Sequence, residues 1–224
     1  MPKSKRNKEV HMTKAKAKGR TRKQGLIQEI REGVDKHECL YVFSFHNLRT
    51  SHMKDVRAEF RDSRFFLGKN KVMQLALGRS HADEHAENLS RASRHLRGHV
   101  GLLLTDRPRA DVEKYFAALA VPDFASAGFI PAATEVLPRG ILEGRPVSML
   151  EQLRALGMVA EIEDGLITLR SPFCMCRAGE ALTPEQAKAL LHDKKLAVFR
   201  LRLVCFYSKG QYEALAGADD DSDG

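Results

Sequence analysis

The chain has 224 residues and a mass of 25.1 kDa, enough to bury a core in one large domain or two small ones. With 43% hydrophobic and 29% charged residues, it is neither collagen-like nor wholly disordered. The longest apolar runs, residues 39–45 and 100–104, fall far short of the roughly 20 residues of a membrane span, and residues 1–23 lack the apolar stretch of a secretory signal. An intracellular protein with no membrane partner is expected.

The net charge of +8 is unevenly spread: residues 1–23 carry +9, residues 24–105 carry +3 and residues 106–224 carry −4. The first segment holds ten Lys or Arg against Glu9 alone. It has no hydrophobic face and its like charges repel, which predicts a disordered arm. Such an arm gains affinity for nucleic acid by releasing counterions, and the same run can serve as a nuclear import signal. The residues expected to meet phosphate are Lys3, Lys5, Arg6, Lys14, Lys16, Lys18, Arg20, Arg22 and Lys23. The plainer alternative is a solubilising terminus.

After the arm, Leu26, Ile27, Ile30 and Val34 recur at helical spacing over 24–36. Residues 39–45, CLYVFSF, are aromatic and β-branched and read as a buried strand. Thr50 or Ser51 caps a second helix, with Met53, Val56 and Phe60 inward and Lys54, Arg57, Arg61 and Arg64 outward. A strand over 64–67 runs into GKNK at 68–71 and a third helix. A polar helix is expected over 83–96, a strand over 99–105, and a helix after Pro108 that buries Val112, Phe116 and Leu119. Residues 125–146 break every regular period with proline and glycine, which marks a domain boundary or a loop-rich module. Beyond it, 149–156 reads as helix, 165–169 as strand, and Thr183, Pro184 and Glu185 as a helix start. Residues 196–206 alternate as a half-exposed final strand, with Ala197, Phe199, Leu201, Leu203 and Cys205 on one face and Arg200 and Arg202 on the other. Helices alternating with strands give a layered α/β fold.

Cys39, Cys174, Cys176 and Cys205 read as reduced thiols, since the lone C-x-C has no second ligand pair for zinc. His81, Glu84 and His85 fit an H-x-x-E-H zinc pattern, but their segment offers only Leu89 and Leu96 as large apolar residues. An exposed polar helix is the competing reading. GKNK lacks the phosphate-loop spacing and any following Ser or Thr. It can still present Gly68, Lys69, Asn70 and Lys71 to an anion at a helix start; the alternative is a tight turn with solvated lysines. Residues 49–79, with Arg49, Lys54, Arg57, Arg61, Arg64 and Arg79, carry a net +5. With at most one of Phe65 and Phe66 pointing outward, recognition by RNA shape and phosphate is expected rather than by base stacking. No catalytic constellation, cofactor or small-molecule substrate is indicated.

The string FSFHNLRTSHMKDVRAEFRDSRFFLGKNKVMQLALG at 43–78, with LRGHVGLLLT at 96–105, resembles the stalk-base family of large-subunit ribosomal protein ten. AGFIPAATEVLP at 127–138 and ALTPEQAKAL at 181–190 resemble it too, and the basic opening is similar to that of its assembly-factor branch. The resemblance implies an α/β RNA-binding domain of residues 24–123 and 181–212, interrupted by a small α+β domain at 124–180 and followed by an acidic, disordered tail at 213–224. It implies RNA contacts at Lys54, Arg57, Gly68, Lys69, Asn70 and Lys71; Arg49, Arg61, Arg64 and Arg97 extend that set on charge alone.

The resemblance further implies a non-enzymatic nucleolar factor that holds the stalk-base site of large-subunit rRNA in the pre-60S particle until the stalk protein P-zero replaces it. Its neighbours would be ribosomal proteins and assembly factors of that particle, and it would reach the cytoplasm with late precursors. The end at DDDSDG lacks the apolar residues with which a working stalk protein engages translation GTPases. The alternatives are a divergent stalk-base protein on mature ribosomes and a zinc hydrolase built on His81, Glu84 and His85.

Overall fold

The structure, a computed structural model, describes residues 19–190 and 195–215. Its first half runs α1 (Arg20–Lys36), β1 (Cys39–His46), α2 (Thr50–Glu59), β2 (Arg64–Phe66), α3 (Asn70–Leu77), α4 (Leu89–Ser93), β3 (Val100–Thr105), α5 (Arg109–Ala118) and β4 (Ala120–Asp123). The second half runs β5 (Glu135–Leu137), β6 (Gly140–Ile141), α6 (Leu150–Ala155), β7 (Ala160–Glu163), β8 (Leu166–Leu169), β9 (Phe173–Cys176), α7 (Pro184–Leu190), β10 (Ala197–Ser208) and β11 (Gln211–Ala214).

A six-stranded sheet has the order β11-β10-β1-β3-β2, with β4 also paired to β10, and every pairing is antiparallel. Alternation along β1 serves two cores. Leu40 and Val42 join Ile30, Met73, Leu77, Leu89 and Leu102 beneath α1, α3 and α4. Tyr41 and Phe43 join Met53, Val56, Phe60, Val112 and Phe116 beneath α2 and α5. The result is a three-layer α/β/α body in which both sheet faces are covered. α1 lies tight on β3, because a Cβ on Gly33 would fall 2.5 Å from Leu104 Cδ1.

Between β4 and β10 the chain forms a second, smaller α+β unit. Its sheets are β5-β9 and β6-β8-β7. Its core gathers Leu142, Leu153, Met158, Ile167, Leu169 and Met175. The α7 start carries a capping box: Thr183 Oγ1 accepts from the N–H of Gln186 at 3.2 Å, and Gln186 Oε1 accepts from that of Thr183 at 2.9 Å.

Five expectations change. Arg20, Arg22 and Lys23 belong to α1 rather than to the arm, since Arg and Lys are good helix formers and nothing breaks the run after Gly19. Lys3, Lys5, Arg6, Lys14, Lys16 and Lys18 lie outside the described residues. Arg49, not Thr50 or Ser51, is the N-cap of α2, and no side chain bonds the helix start.

Residues 83–96 are mostly turns, with helix only at Leu89–Ser93. The chain doubles back there. Gly78 adopts φ +106°, and an added Cβ would fall 2.3 Å from the Glu84 Cα.

β10 is not a final, half-exposed strand. It sits inside the sheet and β11 follows it, carrying regular structure to Ala214. A register shift at Val42/Phe43 puts Leu203 opposite Phe43 and Cys205 opposite Val42, so Leu203 and Cys205 pack on opposite faces.

A candidate nucleic-acid interface at the β2 edge

β2 is the outer strand on one side of the sheet, flanked by α1 and α2. At one end of the sheet β1 and β2 finish and β3 begins, with Phe66 opposite Leu102 and Ser44 opposite Val100. Three helices start at this end. α2 leaves β1 there and α3 leaves β2 there. α1 begins there too, because a Cβ on Gly68 would lie 3.0 Å from Leu26 Cδ2. Arg20, Arg22 and Lys23 are the turn before Leu26.

These three helix starts share an electrostatic peculiarity. None has a side-chain cap or an acidic residue in its first turn. By contrast, α5, α6 and α7 carry Asp111, Glu151 and Glu185 in theirs. α4 borrows a carboxylate: Glu84 accepts from the N–H of Asn88 and of Ser90, each at 3.1 Å. Helix starts carry partial positive charge and free N–H donors. One end of the sheet therefore presents three such starts with no carboxylate of their own.

Cations surround it. Lys69 and Lys71 are exposed at the α3 start. Arg97 stands beside them, because Asn70 Nδ2 donates to the Gly98 carbonyl at 2.8 Å and ties the two loops together. Gly68 has ordinary backbone angles and is placed there by close approach to Leu26 and Met73. Lys54, Arg57, Arg61 and Arg64 continue the basic surface along α2 and β2, and all are exposed. Among the described residues Lys54, Arg57, Arg61, Arg64, Lys69, Lys71 and Arg97 have no ion pair or side-chain hydrogen bond.

Two of the three acids of the same stretch are held elsewhere, and Asp55 stays exposed on α2. Arg107 pairs with Asp62 at 2.9 Å and with Glu59 at 3.6 Å. Its guanidinium hydrogen-bonds the Asp62 carboxyl and holds it below the usual carboxylate range. Sequence reasoning missed this role of Arg107, which no local spacing signals.

Arg49 is also committed. Its Nη2 donates to the Phe124 carbonyl at 2.9 Å and its Nε lies 3.4 Å from Asp123. Its part is to tie α2 to β4, and charge alone did not distinguish it from its unpaired neighbours.

The H-x-x-E-H string is not a metal site. Its histidines lie in turns, His81 bonds the Glu84 carboxylate, and His85 bonds Asp35 at 2.7 Å. Among the described residues no group of three His, Cys, Asp or Glu could hold a metal ion. All four cysteines are free, and burial pushes the Cys205 thiol up to about 12. No helix among the described residues is long and apolar enough to cross a membrane.

The family model for Ribosomal protein L10 matches residues 18–121, and the model for the insertion domain of its 60S ribosomal counterpart matches residues 125–195. The ribosome assembly factor mrt4 of Dictyostelium discoideum is 35% identical, over 95% of this chain and 96% of its own length. The chain belongs to the mrt4 family of ribosome assembly factors. Within that family the Schizosaccharomyces pombe protein is 34% identical, over 93% of this chain and 92% of its own. The large ribosomal subunit protein uL10 of Thermococcus sibiricus is 24% identical, over 82% of this chain and 55% of its own. The mrt4 and L10 families are assembly and structural proteins rather than enzymes, which agrees with the engagement of His81 and Glu84 with each other and of His85 with Asp35.

Proposed function

We propose that this chain acts in ribosome biogenesis by binding large-subunit rRNA at the stalk base of the pre-60S particle, where it reserves the position that the stalk protein P-zero later takes. The observation that carries the reading is the meeting of three helix starts without a carboxylate of their own and a set of unpaired cations at one end of the sheet. Such a surface selects an anion chain by charge and by the spacing of its phosphates. That the mrt4 relatives are named as ribosome assembly factors supports the reading.

In this reading the body built from α1 to β4 with β10 and β11 is the rRNA-binding domain, and the smaller unit between β4 and β10, α7 included, is an inserted domain facing neighbouring ribosomal proteins and assembly factors. The arm that precedes α1 adds phosphate contacts next to Arg20, Arg22 and Lys23 of the first helical turns. The place of action is the nucleolus and nucleus, with departure on late precursors that reach the cytoplasm.

Ultraviolet crosslinking of the tagged protein in cells, with sequencing of the attached RNA, tests this reading. Reads concentrated on the stalk-base region of large-subunit rRNA and its precursors are expected. Diffuse reads, or equal recovery from polysomes, would overturn the placeholder.

A further inference from the structure

The β2 edge is indented rather than flat. A shallow cleft of about 360 Å³ opens there, walled by Arg57, Arg61 and Arg64 on one side and by Glu29 of α1 on the other. Its floor is β2, whose outer backbone edge pairs with no described strand. Phe65 lies in that floor, half-buried and fixed by edge-to-face packing on Phe43 at 5.8 Å and on Phe60 at 6.0 Å. Arg107 already covers the Phe60 ring, at 4.3 Å from its centroid.

Glu29 is the anomaly. A surface shaped only for phosphate has no use for a carboxylate, which repels its ligand. Yet Glu29 is exposed and, among the described residues, has neither an ion pair nor a hydrogen bond, although it shares a cleft with three arginines. A carboxylate beside arginine forks and an aromatic ring is instead complementary to a base. Guanine fits best: its N1–H and N2 amino group are adjacent donors that one carboxylate can accept together, and its O6 and N7 match an arginine fork. Cytosine, adenine and uracil cannot offer two adjacent donors.

We propose that this cleft receives one unpaired guanine of the bound RNA, with Glu29 on its Watson–Crick edge, an arginine on its O6 and N7, and Phe65 beneath it. The proposal rests on the RNA-binding reading above and adds to it a specific base contact.

Glu29→Ala tests it by sign. Removing an acid from a basic surface strengthens RNA binding if charge alone matters, whereas the base site predicts a loss of roughly tenfold. The affinity of the full chain for a folded stalk-base fragment of large-subunit rRNA is measured for the wild type, Glu29→Ala and Lys69→Ala. A transcript pool carrying scattered inosine, which lacks the N2 amino group, is then partitioned by the wild-type protein, so that one arm needs no variant.

Weaker binding by Glu29→Ala, with inosine excluded at one unpaired position, is the expected result. Equal or tighter binding by Glu29→Ala, or no position where inosine interferes, would overturn the base site. If Lys69→Ala binds more weakly in that event, the RNA-binding reading survives. A wild-type chain that does not bind the fragment would overturn both.

Discussion

The Nε–H of Arg107 donates to both carboxylate oxygens of Asp62, at 3.1 and 2.9 Å. Arg107 stands at the far end of β3 from the glycine loop, yet it governs the charge of α2. Its Nη2 also donates to the Glu59 carbonyl, at 2.6 Å. Arg107→Ala returns two free acids to the neighbourhood of Arg57, Arg61 and Arg64. RNA affinity is expected to fall several-fold at low salt and less at high salt. Thermal stability should drop by about 1 kcal/mol through loss of the ion pairs and of the Phe60 stacking. Unchanged RNA affinity beside a lowered melting temperature would confine Arg107 to packing.

Lys69 and Lys71 project from the α3 start without partners, so their loss should leave the fold intact. The double change Lys69→Ala and Lys71→Ala should weaken RNA binding and flatten the plot of log affinity against log salt by about one to two units of slope. The free energy of unfolding is expected to stay within about 0.5 kcal/mol of the wild type. A steep slope retained by the variant would remove both lysines from the interface.

Two glycines of α1 should respond to alanine in opposite directions. Gly33→Ala forces a Cβ into Leu104 and is expected to cost about 1–3 kcal/mol in chemical denaturation. Gly25 has nothing within 4 Å of its Cβ position, and Gly25→Ala should stabilise the helix by about 0.5–1 kcal/mol. Equal effects at the two positions would mean that α1 does not sit on β3 as described.

Glu84 gives the molecule an acid-sensitive joint. Its side chain is 6% exposed, and hydrogen bonds from Ser90, with others from His81 and Asn88, hold its carboxyl down to about 2, from an ordinary 4.5. Because the folded-state value is depressed, its contribution is complete above about pH 4.5 and drains away as pH falls toward 2. Comparing the stability of the wild type with that of Glu84→Gln across pH 2–7 should give a gap that is constant near neutrality and narrows below pH 4.5. A gap of constant size down to pH 2 would show that Glu84 titrates normally.

The layered body was legible because its signals are local and repeated. Leu40 through Phe43 form one apolar run, and Met53, Val56 and Phe60 keep a helical period. Short strands of low contrast were not legible: β4 is Ala-Val-Pro-Asp, and it exists because β10 lies beside it. The bulge near Phe43 was equally invisible, since alternation in 196–206 continues past the point where the ladder slips. At the site, unpaired Lys69, Lys71, Arg57 and Arg61 could be found from charge and spacing. Arg49 could not be separated from them, because Asp123 is distant in sequence. Glu29 carries no local signal, because the arginines that share its cleft belong to α2 and β2, distant in sequence from α1.

The chain leaves the main sheet along β4 and returns along β10, and these strands are laced to each other from Ala197 opposite Asp123 to Arg200 opposite Ala120. Whatever grips the smaller unit therefore pulls on a two-stranded stem rather than on a loop. The load passes through β10 into its ladder with β1, at the middle of the body. A pull on this handle would strain the central strands first and the β2 edge last, so on the proposed function, extraction by force and release by competition for RNA would be mechanically separate.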